Sequence, residues 1–279
     1  MILPENFDFT QSNLQDYLDC PYRFYLRYVL HTRWPALVVD DAQEFELRMQ
    51  AGAHFHRLAQ QYLVGIPAVE ISQQAESDPH ADLHTWWSDF LIHVPPWLKG
   101  QRWVEMTLST RLGGQRLVAK YDLILANEVG GLTIFDWKTS QKAPRKDWLL
   151  DRIQTRLYRL LLTDASPALV SGEGTEPEQI VMNYWFAAYP QTPISLPYNK
   201  AAYERDRADL TQLVERICTS EAADFERTSE VRRCRYCVYR SHCDRGVEAG
   251  ALADFDDLAL QPEESIFNTA FEDIPEIQI

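Results

Sequence analysis

The sequence predicts an α/β fold, a mixed sheet flanked by helices. Three observations lead there. Helical periodicity precedes the first strand, three alternating strand-like runs lie between residues 102 and 138, and a helix–strand–helix succession follows them. The chain has 279 residues, of which 46% are hydrophobic, enough to bury a sizeable core. No run of 18 apolar residues suggests a membrane span. The start, MILPENFDFTQ, lacks the basic and apolar regions of a secretory signal, so a cytoplasmic protein is expected.

The elements can be justified in order. The segment TQSNLQDYLD predicts a helix capped by Ser12, with Gln15 at the reciprocal position of a capping box and Leu14, Tyr17 and Leu18 as its apolar stripe. Pro21 suits the start of a further helical piece, because a first helical position needs no N–H. Periodicity predicts a helix from about Glu44 to Val64, a polar connection at ISQQAESDPHAD, and a short helix over LHTWWSDFLIHV that stops before Pro95. RWVEMTLST and QRLVAKYDLILA alternate around Gly113-Gly114, and Gly130-Gly131 turns the chain into LTIFDWK. One helix over DWLLDRIQTRLYRLLLTDA, a loop, a buried strand IVMNYWFAAY and a long polar-faced helix complete the body. Residues 1–245 are expected to form one domain, and 246–279 an acidic, flexible tail.

Net charge is −14, but unevenly spread: the tail carries nine acidic and no basic residues, so the body is near −5. Any affinity for a polyanion must then come from local patches. The candidates are Lys142, Arg145 and Lys146, and the group Arg232, Arg233, Arg235, Arg240 and Arg245.

On the third strand, alternation places Asp136 and Lys138 on one face and Phe135 and Trp137 on the other. Asp122 lies on the preceding strand, across a short turn, so the two carboxylates can converge. Two hard oxygen ligands suit Mg²⁺ or Mn²⁺, whose chemistry includes polarising a phosphate and acidifying a bound water. Lys138 could then orient that water and offset charge that develops on phosphorus.

There are five cysteines, too few for a disulfide framework in a chain this long. Cys20 stands alone near the start, while Cys234, Cys237 and Cys243 cluster near the end. Four thiolates suit zinc or an iron–sulfur cluster, and the local Cys-x2-Cys spacing does not separate them. Cys218 reads as a small buried apolar residue.

Seven motifs in order carry a resemblance: SNLQDYLDCPYRF with Cys20, GAHFH with Gly52 and His56, VEMTLS with Glu105, KYDLI with Asp122, DWKTS with Asp136 and Lys138, QTRLY with Gln154 and Tyr158, and the three C-terminal cysteines. Over roughly residues 10–245 the chain resembles the PD-(D/E)XK nuclease superfamily. The similarity is to its RecB-like branch with an iron–sulfur cluster, which includes the AddB nuclease domain and the exonuclease of CRISPR adaptation. Ala119 stands where relatives often have Gly, and Lys120 where they often have Arg. The resemblance implies a restriction-endonuclease-like fold and a Mg²⁺- or Mn²⁺-dependent DNA exonuclease working in repair, recombination or defence. It implies metal ligation by His56, Asp122, Asp136 and the main-chain carbonyl of Trp137. Gln154 and Tyr158, one turn apart on a helix, would brace the site or contact DNA. Cys20, Cys234, Cys237 and Cys243 would hold a 4Fe-4S cluster that staples the two ends together. DNA with free or single-stranded ends and a helicase are the partners this implies. A catalytically silent DNA-binding or interaction subunit of the same fold is the alternative.

Overall fold

The computed structural model describes residues 2–33, 42–127, 130–140, 145–170, 174–234 and 237–246, and the side chains of residues 42–46 are not described. Most of the acidic tail, together with Lys142 and Arg235, therefore lies outside the described residues.

One mixed sheet organises the chain. Its strands are β1 (Asp8–Phe9), β2 (Gln101–Leu112), β3 (Gln115–Ala126), β4 (Leu132–Lys138), β5 (Ile180–Phe186) and β6 (Ile194–Pro197). The spatial order is β1-β3-β4-β5-β6, with β2 also paired to β3. The β2–β3, β3–β4 and β5–β6 pairs are antiparallel, whereas β1–β3 and β4–β5 are parallel. The parallel β4–β5 pair needs a crossover connection, and the helices between the two strands supply it.

The helices are α1 (Gln11–Asp19), α2 (Pro21–Phe24), α3 (Ala42–Leu63), α4 (Ala68–Glu76), α5 (Ala81–His93), α6 (Lys146–Asp151), α7 (Ile153–Leu169) and α8 (Lys200–Thr219). They cover both faces of the sheet and make two cores. One face packs Leu117, Ile134, Met182 and Phe186 against α1, α7 and α8, through Leu14, Leu157, Leu161 and Leu210. The other packs Leu123, Phe135, Trp137 and Trp185 against Phe55 of α3, Ile71 of α4 and Phe90 of α5.

Four expectations change. The cap of α1 is Thr10 instead of Ser12: Thr10 Oγ1 accepts from Asn13 N–H and Asn13 Oδ1 accepts from Thr10 N–H. The chain is held extended through Thr10 by β1, so the helix starts earlier than the Ser12–Gln15 spacing suggested. The polar connection contains α4, because Ile71 and Ala75, four apart, reach the core while the polar residues face out. The single helix expected after β4 is two, separated by Arg152 in an extended conformation (φ −66°, ψ 140°). The strands β1 and β6 are only two and four residues long, too short for alternation to be read from sequence.

A buried charge cluster joins α7 to α8. Asp206 is fully buried and accepts from Arg156 Nε at 2.8 Å and Tyr198 OH at 3.1 Å, with Arg159 Nη2 at 3.6 Å. Removing one partner leaves the others as uncompensated buried charge. Asp206→Ala should therefore lower unfolding stability by ~3–5 kcal/mol in urea titration. An unchanged midpoint would show that the cluster contributes nothing.

Candidate catalytic site

The β2–β3 hairpin changes face partway along. Every residue of β2 pairs with one of β3 except Glu105 and Asp122, which stand opposite each other with the same register on either side. On β2, Trp103 and then Met106, Leu108 and Leu112 meet the α7-side core, so the alternation slips by one between 103 and 106. On β3 it slips likewise between Tyr121 and Ile124. Glu105 adopts a left-handed backbone (φ 52°), which is uncommon for a residue with a Cβ and costs about 1–3 kcal/mol. That break frees the row from the ladder and leaves Asp122 at the seam between the two faces.

The β3–β4 ladder ends at the Leu123–Phe135 pair, so Asp122 and Asp136 come next in line on adjacent strands. Asp122 Oδ2 replaces the missing backbone acceptor and receives the Trp137 N–H at 2.8 Å. Its other oxygen lies 3.3 Å from Nδ1 of His56, which α3 brings in from the opposite side of the sheet. Asp136 is 4% exposed; Gln154 Nε2 donates to its Oδ1 at 2.6 Å, and Lys138 Nζ lies 2.7 Å from its Oδ2. Gln154 can reach because α7 begins anew after Arg152. Lys138, itself buried, also lies 5.7 Å from the ring centroid of Tyr184, the β5 neighbour of Asp136.

The electrostatics of the two carboxylates diverge. Burial pushes Asp122 up, but His56, Lys138 and the Trp137 N–H outweigh it and hold the group below the usual carboxylate value. Burial dominates at Asp136 and raises it to about 6, with Lys138 opposing and Asp122 adding to the rise.

Tyr158 is buried, with its ring 4.8 Å from that of Tyr121, and its carbonyl accepts the Tyr121 hydroxyl at 2.8 Å. It therefore braces β3 against α7 and offers no exposed surface for DNA. The Trp137 indole lies in the opposite core among Phe90, Phe135 and Trp185, which leaves its main chain as the part that faces the site.

Among the described residues no group of three or more His, Cys, Asp or Glu stands close enough together to hold a metal ion. At the carboxylates, protein donors reach all four oxygens. Each carboxylate oxygen has a second lone pair, and Asp136 Oδ2 is buried with no hydrogen bond of good geometry beyond the Lys138 ion pair. The donor chemistry therefore fits a hard divalent cation once Lys138 gives way.

The cysteines form a second centre. Cys20, Cys234, Cys237 and Cys243 line one cavity, although Cys20 lies more than two hundred residues before the others. All four are free thiols. Arg245 Nη1 lies 2.6 Å from Cys234 Sγ, and the Thr228 N–H lies 3.5 Å from Cys20 Sγ. Arg23, Arg227, Arg233 and Arg240 complete much of the wall. The basic patch seen in the sequence is thus largely committed: Arg233 pairs with Asp19 and Glu230, Arg232 with Glu230, and Arg245 turns inward. Cys218 lies apart from this cavity, on α8, and packs against the α7-side core. Arg145, in the other patch, pairs with Asp147.

The family model for the PD-(D/E)XK nuclease superfamily matches residues 8–244, which span both centres.

The chain belongs to the PD-(D/E)XK nuclease superfamily.

No curated protein matches it. Among solved structures, this nuclease-superfamily chain is similar in fold to a protein named "Putative exonuclease" from Eubacterium rectale. The TM-score is 0.54 at 9% identity, over 91% of this chain and 94% of that one. A structure named SSO0001 aligns at 16% identity over 86% of each chain with a TM-score of 0.37, too low to carry an argument. With the family in view, two residues stand out whose place was not readable from the sequence. Glu105 was visible only as part of a motif, and nothing in its neighbours signals a left-handed backbone. Tyr184 lay in an apolar run, and only the parallel β4–β5 register sets it beside Asp136.

The raised Asp136 value has a consequence for stability. Its folded pKa of about 6 exceeds the unfolded value of about 3.9. The contribution of the protonated group is fully present below the unfolded value and is lost as pH rises through about 6. Asp136→Asn should therefore melt higher than wild type at pH 8 in EDTA, by ~1–3 kcal/mol, and the gap should close towards pH 4. Thermal melts across that range check this; a gap independent of pH would show that the carboxyl is not strained by burial.

Proposed function

We propose that this chain is a divalent-cation-dependent deoxyribonuclease that hydrolyses phosphodiester bonds, acting as an exonuclease on free or single-stranded DNA ends. The observation that carries the reading is the convergence of Asp122, Asp136 and Lys138 at the seam of the sheet, in a chain of this nuclease superfamily. His56, Asp122, Asp136 and the carbonyl of Trp137 are the residues that would hold Mg²⁺ or Mn²⁺. The cation supplies Lewis acidity towards the phosphate and a bound water acidic enough to attack phosphorus. Lys138, whose Nζ lies 2.7 Å from Asp136 Oδ2, would help to orient an attacking water and to balance the charge that develops on phosphorus. Gln154 fixes the Asp136 carboxylate through Oδ1, and Tyr158 fixes α7 against β3. The name of the Eubacterium rectale protein is in keeping with exonuclease action.

The RecB-like branch, with a 4Fe-4S cluster on Cys20, Cys234, Cys237 and Cys243, is part of the same proposal. It is supported by four thiols on one cavity and by guanidinium groups around it, which suit an anionic thiolate-bound centre. Such a centre would tie α1 and α2 to the C-terminal turns, making residues 1–245 one unit and its loading part of the folding free energy. Processing of DNA ends in repair, recombination or defence, beside a helicase, is the context this reading suggests.

Protein purified without oxygen should be brown, with broad absorbance near ~400 nm from thiolate-bound iron, and Cys20→Ser should lose that colour and its iron. With Mn²⁺ and end-labelled DNA, Asp136→Ala and Lys138→Met should each cut at least ~100-fold more slowly than wild type. A colourless, zinc-containing protein would overturn the cluster. Cleavage unchanged in Asp136→Ala, or no cleavage of any DNA form by wild type, would overturn the nuclease reading in favour of a silent DNA-binding subunit.

A further inference from the structure

Arg152, the extended residue between α6 and α7, carries a charge that the fold leaves unanswered. Its guanidinium lies 4.8 Å from the ring centroid of Trp148, four residues earlier, and the residue is half-buried. Among the described residues it has no hydrogen bond and no ion pair. Arg23, Arg27, Arg156 and Arg159 are also of low exposure, but each has a carboxylate within 4 Å. Burial lowers the Arg152 pKa, Asp19 and Tyr184 oppose the fall, and the like charges of Arg23 and Arg233 add to it. The two opposing groups already have partners. Asp19 accepts from Gln15, Arg23 and Arg233, and the Tyr184 hydroxyl is bonded to Thr155.

Groups of both centres are near enough to act on this charge. Tyr184 is the β5 neighbour of Asp136, and Lys138 Nζ lies 5.7 Å from its ring centroid, while Arg23 and Arg233 line the cysteine cavity. Gln154, two residues on, donates to Asp136. The stack on Trp148 engages one face of the guanidinium. Its N–H groups lie in the plane of that group, so the edge stays open to an acceptor, and the fork of donors matches two oxygens of a phosphate. We infer that Arg152 binds a backbone phosphate of the DNA strand, next to the phosphate at Asp122 and Asp136, and so sets how the strand lies across the carboxylates. This rests on the proposed nuclease reading. Packing alone does not account for the position, because burying an unpaired charge costs more than a stack on an aromatic ring contributes. Nor can the overall charge attract the strand, since it is negative. Arg145, Arg232 and Arg233, of the patches seen in the sequence, are already paired with carboxylates.

The test uses Arg152→Gln and Arg152→Met in the full chain, since both keep a stem that can lie on Trp148 and remove the charge. Binding of an end-labelled single-stranded oligonucleotide is followed by fluorescence anisotropy in EDTA, across salt concentrations, and the Tm is measured alongside. Both variants should bind about 10-fold more weakly than wild type. Their plots of log K against log salt should be shallower by ~0.7, the share of one phosphate contact on a single strand. One linkage near the labelled end, replaced by a neutral methylphosphonate, should weaken the wild-type protein about as much and leave Arg152→Gln unaffected. Both variants should melt at or above the wild-type temperature. An unchanged salt slope, or a methylphosphonate effect equal in wild type and variant at every linkage, would overturn the inference and leave the nuclease reading standing. A lowered Tm in both variants would also overturn it, by making the guanidinium a structural part of the α6–α7 junction. Wild-type protein that binds no DNA would sink the nuclease reading, and the inference with it.

Discussion

Two carboxylates are placed side by side on neighbouring strands, in surroundings that exclude most water, and the rest of the site follows from that. Like charges in such a setting raise one another's pKa, and burial adds to the effect. The fold answers with donors from four directions. Trp137 contributes its main chain, His56 comes from α3, Gln154 from α7, and Lys138 from the same strand as Asp136. The outcome is asymmetric: Asp122 is held below the usual carboxylate value, and Asp136 is raised to about 6. A pair whose environments push its two groups apart is what acid–base and metal chemistry at neutral pH require.

That arrangement depends on an irregular sheet. A regular hairpin would send Asp122 and Glu105 to one face and continue the ladder through both. Here the ladder is interrupted at their row, and both strands exchange faces together. Asp122 can then meet α3 on one side and the β4 main chain on the other. The break at Arg152 does the same for the second layer, since an unbroken helix would carry Gln154 on a different heading. Local departures from regular geometry, in both cases, aim a polar side chain at the seam.

The cysteine cavity is a long-range counterpart. Asp16 and Asp19 of α1 accept from Arg23, Arg27 and Arg233, so the cavity wall is tied to α1 by charge pairs of low exposure. The helix α1 in turn packs on the core that includes α7. Through α1 the cysteine cavity is therefore linked to the core of α7, the helix that supplies Gln154 to the carboxylate site.

Much of this was legible in the sequence because it rests on local periodicity. The three central strands, their glycine turns and the shared face of Asp136 and Lys138 follow from alternation with a period of two. The long helices follow from their apolar stripes. The seven ordered motifs pointed to the nuclease superfamily, and the family match confirms that membership. The sequence alone could not show what depends on contacts between distant segments. The short strands β1 and β6 exist only as partners of β3 and β5. The cap of α1 was decided by a preceding strand, and α4 by two small contacts with the core. The left-handed turn at Glu105 likewise came from tertiary structure. Periodicity reports which way a side chain points within its own element; where two elements cross, and which backbone must bend to let them, is set by packing across the whole core.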